Sequence, residues 1–401
     1  MRKYIGIISV MSDEKLNILI LGNFPPPYGG VPEHIENLLS QFDRLGHSCT
    51  VLSGGRSGTT NRGRHTIIKP KISEKFFLFF CSIFRPYFIW LFYVYILRLR
   101  DLRSFIRSLV YVEKARRIFA ENDFSVVSFY NLYNYGVIAE ILAKHSDVRL
   151  VGNIFGEIYS KRRMIDNKSI FNRVLVRCDL LLSCSKHCAN SVELLGFKGF
   201  VEPTLYGVNR PKKIIAKFEH SRLRILMVGR HQQEMGIHEY ITIHKLADRS
   251  GIECDFMLIG QSGPLSKQLQ VYQEKFQNFK VKSDLPRLEL EQAYGDADVI
   301  IVPTLGDRTC SSLACMDGMM NGCVCIGHDI GGIPELIIDG ETGFLVQVAD
   351  AQRVLEILER LWKNRKASSA MGLRALDYAK ENFDQFKNHG YIAERIMKND
   401  T

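Results

Sequence analysis

Residues able to handle phosphate and hydroxyl groups concentrate between Ile301 and Glu335. Asp307 and Arg308 precede the small polar run Thr309-Cys310-Ser311-Ser312, and Asp317 follows shortly after. An apolar run, Val299–Val302, ends at Pro303 and Thr304 and reads as a buried strand stopping at this loop. Leu313, Met316, Met319 and Met320, spaced by threes and fours, predict the helix that leaves it. Strand, polar loop and helix start together make a phosphate cradle. First-turn N–H groups have no intrahelical partners, and the helix dipole places roughly half a positive charge there. The backbone around Leu313 and the hydroxyls of Ser311 and Ser312 would donate to a diphosphate. The carboxylates of Asp307 and Asp317 would accept from sugar hydroxyls. The combination suits a nucleotide-sugar.

Other candidates sit at the ends of other predicted strands. Arg230 follows the run Leu223 to Val228 and could make a charge-assisted contact with a phosphate. Gly260 and Gly263 turn the chain after Asp255 to Ile259, and Asp284-Leu285 closes another loop. Gly29 and Gly30, after Pro25-Pro26-Pro27, would let backbone approach a ligand, although glycines before a helix are also common caps. Glu157 follows Arg149 to Phe155, beside Lys161-Arg162-Arg163. Ligands of open α/β sheets bind at that edge, so Glu157 is either an acceptor-side base or hydroxyl binder, or a solvated loop acid.

The elements that position these residues alternate strand and helix. Asn17 to Leu21, the glycine turn, a helix with Ile35, Leu38, Leu39, Phe42 and Leu45 on one face, and Ser48 to Leu52 form a βαβ unit. The pattern restarts at Leu223. With 401 residues, 46% hydrophobic and 24% charged, the chain has ample core for two domains. Net charge is +10, which favours anionic substrates or an anionic membrane surface. Nucleic acid is set aside for want of a stacking platform or recognition helix. Ten scattered cysteines indicate a reducing cytoplasm rather than a disulfide scaffold. Cys184, His187 and Cys188, and Cys323 with Cys325, match no zinc spacing and read as core, so no metal ligands are expected. Met1–Met11 is too short for a signal peptide and reads as a loose leader.

The stretch Pro303-Thr304, Asp317, Gly322, Asp329 and Gly331-Gly332-Ile333-Pro334-Glu335 resembles the C-terminal signature of retaining glycosyltransferases of family four. The Gly29-Gly30 loop, Gly260-Gln261-Ser262-Gly263-Pro264 and the linker Glu202 to Asn209 are similar to further landmarks of that family. The resemblance implies a GT-B fold: α/β, with two facing Rossmann-like domains, parallel sheets and an interdomain cleft. Residues 1–210 would form the acceptor domain and 211–385 the nucleotide-sugar domain, with 386–401 returning to the first. It also implies metal-independent transfer of a hexose with retention, no cofactor, and a lipid-linked or glycan acceptor. Arg230 and the amides at Ser311–Leu313 would hold the diphosphate, Asp307 the sugar, Asp317 the ribose, and Asp284-Leu285 the base. Gly29 and Gly30 would face the diphosphate across the cleft. Asp339 to Leu345 looks like the family's closing hairpin. Relatives have a lysine where this chain has Met235, which motivates the rival reading of a non-catalytic subunit of the same fold.

Residues 69–118 combine Phe76-Phe77-Leu78-Phe79-Phe80 and Tyr87 to Leu97 with Arg98, Arg100, Arg103, Arg107, Lys114, Arg116 and Arg117. Arg85 and Pro86 between the apolar runs argue against a simple membrane span. The segment is either core helices of the first domain or an interfacial element for an anionic surface, placing the protein peripherally on the inner face of the membrane.

Overall fold

The computed structural model describes residues 15–25, 29–55, 58–144, 146–306 and 309–398, so the leader read at Met1–Met11 lies outside the described residues. The first half contributes β1 (Asn17–Leu21), β2 (Ser48–Leu52), β3 (Gly58–Arg62), β4 (His65–Lys69), β5 (Val126–Tyr130), β6 (Arg149–Ile154), β7 (Leu180–Ser183) and β8 (Glu202–Pro203). They form one sheet in the order β3-β4-β2-β1-β5-β6-β7-β8. Every pairing is parallel except β3 with β4. The second half contributes β9 (Leu223–Val228), β10 (Cys254–Gly260), β11 (Phe279–Ser283), β12 (Val299–Val302), β13 (Val324–His328) and β14 (Gly343–Val346). Their order, β11-β10-β9-β12-β13-β14, is a fully parallel doubly wound sheet with its reversal between β9 and β12.

Helices cover both faces, so the central strands are buried along their whole length. β5, β6, β12 and β13 show no exposed residue. This is why they read as unbroken apolar runs rather than alternating ones. Helix Gly30–Arg44 buries Ile35, Leu38, Leu39 and Phe42, each worth roughly 1.5–3 kcal/mol on leaving water.

Two features differ from the sequence reading. The β3–β4 hairpin was not anticipated, because β3 is short, polar and almost entirely exposed at the sheet edge. The segment at Asp339 to Leu345 is a tight turn, with Gly340 N–H donating to the Gly343 carbonyl, after which β14 joins β13 in parallel instead of closing a hairpin.

The chain crosses between the halves twice, and the crossings touch. Val208 N–H donates to the Phe383 carbonyl (2.8 Å), and Gln385 N–H donates to that of Val208 (3.1 Å). Helix Gln385–Met397 then packs on Gly30–Arg44, with Arg395 bonded to Glu202 at 2.9 Å.

Backbone contact also joins the end of β9 to the end of β12. Gly236 has φ +77°, and a Cβ there would lie 1.7 Å from the Pro303 carbonyl oxygen. Gly251, with φ +78°, has open space around it. Gly251→Ala should therefore cost only the left-handed penalty of about 1–2 kcal/mol. Gly236→Ala adds a backbone clash and should lower the unfolding temperature several degrees further, as measured by calorimetry. Equal losses in the two variants would show that the Pro303 contact is not tight.

Candidate active site at the interdomain cleft

The carboxyl ends of the second sheet form one continuous wall. Asp284 N–H donates to the Gly260 carbonyl (2.9 Å), and its carboxylate accepts from the Ser262 hydroxyl, a bond that lowers the acid's pKa. Asp284 has φ +54°, a conformation tolerable for aspartate with a local hydrogen bond. Gly260 stacks on the end of β9: a Cβ there would sit 1.8 Å from the Gly229 carbonyl oxygen, so no other residue fits. Gly263 N–H donates to Ser266 Oγ (2.8 Å), turning the loop back. Leu285 is partly buried against the core. Arg230 stands exposed where β9 ends.

The same turn reaches the loop after β12, where Leu305 N–H donates to the Glu234 carbonyl (2.9 Å). Met235 folds over Gly229 and packs with the core, so this position carries no charge. His231 offers no substitute charge. It is buried beside Ser266 Oγ (2.9 Å), and desolvation lowers its pKa.

The loop 309–312 is pinned from below by Gly332 N–H donating to the Thr309 carbonyl (2.8 Å). Ser312 Oγ caps helix Leu313–Met320 by accepting from Cys315 N–H (3.2 Å), so that oxygen is already engaged. Ser311 Oγ is buried without a hydrogen-bond partner. Asp307 lies outside the described residues.

The first domain closes the cleft from the other side. The Cβ position of Gly30 is 3.9 Å from Leu313 Cδ1, which sets the Gly29-Gly30 turn opposite the helix start. Glu157 is buried, accepting from Leu132 N–H (2.9 Å) and Phe155 N–H (3.0 Å), and burial pushes its carboxyl up to about 7. Each oxygen is thus tied to a backbone donor of its own domain. Neighbouring Gly156 N–H donates to Cys310 Sγ of the facing loop (2.7 Å).

Asp317 is half-buried on helix Leu313–Met320. Desolvation, then repulsion from Glu33, pushes its carboxyl up to about 8, against the pull of Arg287. Arg287 bonds Glu33 across the cleft at 2.6 Å. Glu335 also crosses: its carboxylate accepts from Lys186 N–H (2.8 Å) and His187 N–H (2.7 Å). Sequence reading missed the Glu33–Arg287 pair and the tie of Glu335, since nothing local to either residue names its partner. It likewise read Cys184 and Cys188 as plain core, whereas Cys310 of the other domain comes to rest beside them, with all three sulfurs within 4.8 Å of one another.

Residues 28–201 match the family described as Glycosyltransferase Family 4, and residues 222–364 match Glycosyl transferases group 1. The chain belongs to the group 1, family 4 glycosyltransferases. Relatives of this chain include the amylovoran biosynthesis glycosyltransferase AmsK of Erwinia amylovora, 26% identical over 61% of this chain and 62% of AmsK. Another is the putative colanic acid biosynthesis glycosyltransferase WcaL of Salmonella typhimurium, 26% identical over 45% of this chain and 47% of WcaL. The chain thus spans about half to three-fifths of these curated relatives. Among solved structures, sucrose-phosphate synthase of Thermosynechococcus elongatus superimposes with TM-score 0.74 at 13% identity, covering 95% of this chain and 98% of that one. HepE of Anabaena in complex with UDP-glucose gives 0.69 at 12%, covering 95% and 99%. These likenesses establish the GT-B fold for this chain.

The raised acid has a consequence for stability. An unfolded aspartate ionises near 4, whereas folded Asp317 holds its proton to about 8. Its contribution is therefore complete below about pH 4 and is lost as pH rises towards 8. Asp317→Asn should gain unfolding temperature relative to the wild type at pH 8.5 compared with pH 5. A difference that stays flat between those pH values would put the carboxyl back in the ordinary range.

Proposed function

We propose that the protein is a retaining hexosyltransferase that takes a nucleotide-sugar into the cleft. It passes the hexose to a lipid-linked or growing surface-glycan acceptor at the cytoplasmic face of a membrane. The observation that carries the donor half is the Ser311 hydroxyl, buried and unpartnered at the entry to helix Leu313–Met320. Such a group costs about 1–3 kcal/mol unless something bonds it. A donor phosphate oxygen would relieve that cost while meeting the helix dipole. HepE's complex with UDP-glucose and the polysaccharide-biosynthesis names of AmsK and WcaL support the same substrate classes.

In this reading an acceptor hydroxyl attacks the anomeric carbon from the face that the diphosphate leaves, and its proton passes to the departing phosphate oxygen. Arg230 and the amides around Ser311–Leu313 stabilise the charge growing on the leaving group. Asp307 binds the sugar, and Asp317 binds the ribose. Glu157 positions the acceptor-side loop through its two backbone bonds. Met235 in place of a cation leaves Arg230 as the clamp's main charge. UDP-glucose, used as probe, should raise the unfolding temperature, since a ligand bound only by the folded state must stabilise it. Arg230→Ala should lose about 2–4 kcal/mol of transition-state stabilisation, read as a 30- to 1,000-fold fall in nucleotide release. Turnover near wild type in that variant would place the phosphate elsewhere. If a panel of nucleotide-sugars neither binds nor turns over, the non-catalytic reading is the better one.

The membrane half rests on an exposed apolar face. No single helix among the described residues is long and apolar enough to cross a membrane. Ile72–Ile83 and Tyr87–Arg98 qualify only as a pair, bent by 104°. They bury Leu78, Leu91, Val94 and Tyr95 yet leave Phe76, Phe77, Phe80, Phe84 (86% exposed), Ile89 (75%) and Leu97 in solvent. So many large apolar side chains left in solvent on one bent helix pair point to an interaction surface. Part of the basic residue set is tied up internally. Lys114 pairs with Glu74, and Arg85, Arg116 and Arg117 converge on Glu113. Burial works to raise the Glu113 carboxyl, but hydrogen bonds led by Arg116 hold it at about 2. Three guanidinium groups against one carboxylate still leave a positive surplus beneath the aromatic face. Sedimentation with anionic vesicles at low salt should carry the protein down, less so at high salt. Phe80→Ser combined with Phe84→Ser should leave most of it in the supernatant. Wild-type protein that stays soluble with anionic and neutral vesicles at both salt concentrations would argue for a soluble acceptor.

A further inference from the structure

Three thiols meet where the two domains touch. Cys184 follows β7, and Cys188 lies one turn on in helix Lys186–Asn190, its N–H held by Ser185 Oγ at 3.1 Å. Cys310 comes from the loop after β12, more than a hundred residues away and in the other domain. Their sulfurs all lie within 4.8 Å of one another. Zinc–thiolate bonds of about 2.3 Å put tetrahedral sulfurs about 3.8 Å apart, so closing the set around an ion requires movements of about an ångström or less. A disulfide would use only two of these sulfurs and leave the third idle.

We propose that Cys184, Cys188 and Cys310 form a thiolate site for a zinc-class ion that clamps the two domains in the closed arrangement. Each sulfur would lose its proton to solvent as the ion binds, giving three metal–sulfur bonds with no change of oxidation state. One of the three sulfurs already has an outer donor. Gly156 N–H donates to Cys310 Sγ, the type of outer bond that stabilises a metal-bound sulfur. The core cysteines behave differently: Cys323 Sγ bonds the Tyr294 and Ala297 carbonyls, and Cys325 Sγ the Cys315 carbonyl. The clamp adjoins the donor loop, since Cys310 precedes Ser311, but its sulfurs take no part in the transfer step. It would act on domain opening, because the ion can bridge β7 and the 309–312 loop only while the cleft is closed.

The test is titration of the reduced, metal-stripped full chain with Cd(II) and with Zn(II). Cd(II) should give an ultraviolet thiolate-to-metal band saturating at one ion per chain, displaced by Zn(II), and either ion should raise the unfolding temperature. Cys310→Ser should weaken binding by more than about 100-fold, beyond what losing an outer bond alone costs. Cys81→Ser, a cysteine in helix Ile72–Ile83 outside the cluster, should leave it unchanged. Cys188→Ala gives a second variant should Cys310→Ser not fold. Absence of the band in the wild type, or an undiminished band in both cluster variants, would overturn the site. A disulfide under diamide without any Cd(II) band would also overturn it, in favour of a redox pair.

Discussion

The relative placement of the two domains depends on a few backbone hydrogen bonds where the chain crosses between them. Val208 sits between Phe383 and Gln385, so the outgoing linker and the returning helix are paired rather than independent tethers. Arg210 with Asp384, and Asn388 with the Tyr206 carbonyl, reinforce the same point. The cleft lies beyond it, so whatever faces the cleft is brought together by one constraint.

Parallel sheets then decide what faces the cleft. All strands of the second domain run the same way, so their carboxyl-end loops gather along one edge. The loops touch one another through backbone: Gly260 on Gly229, Leu305 on Glu234, Gly332 on Thr309. Glycine keeps side chains out of two of those junctions, and Thr304 Oγ1 adds a bond to the Glu234 carbonyl at the third (3.4 Å), so N–H groups, hydroxyls, Arg230 and the carboxyls of Asp284 and Asp317 make up the polar lining. Among the carboxyls near this wall, Asp317 and Glu157 are desolvated and hold their protons more tightly. Cross-cleft ties such as Glu33 with Arg287, and Glu335 with the start of helix Lys186–Asn190, require the closed arrangement and would break on opening.

The aromatic helices between β4 and β5 follow another logic. Their inner residues join the core of the first domain, while an outer row of phenylalanines stays in solvent. Composition alone could not separate core from surface there, because both rows are apolar. Only the bend at Arg85-Pro86 and the packing on helix Leu102–Glu121 determine which row faces out.

The sequence by itself determined the alternation of strand and helix, its restart in the second half, and the strand-end turns at Gly29-Gly30, Gly260 to Gly263 and Ser311-Ser312. These are local properties: an apolar run buried on both faces, a helical period, a glycine where backbone must pass close. Tertiary structure alone decided the β3–β4 hairpin, whose polar edge strand carries no hydrophobic signal, and the parallel rather than hairpin course of β14. It also decided the pairing of Glu33 with Arg287, the reach of Glu335 into the other domain, and the meeting of Cys310 with Cys184 and Cys188. In each case the partners lie far apart in the chain. Their distance is set by how two sheets pack, and periodicity along a single element carries no information about that.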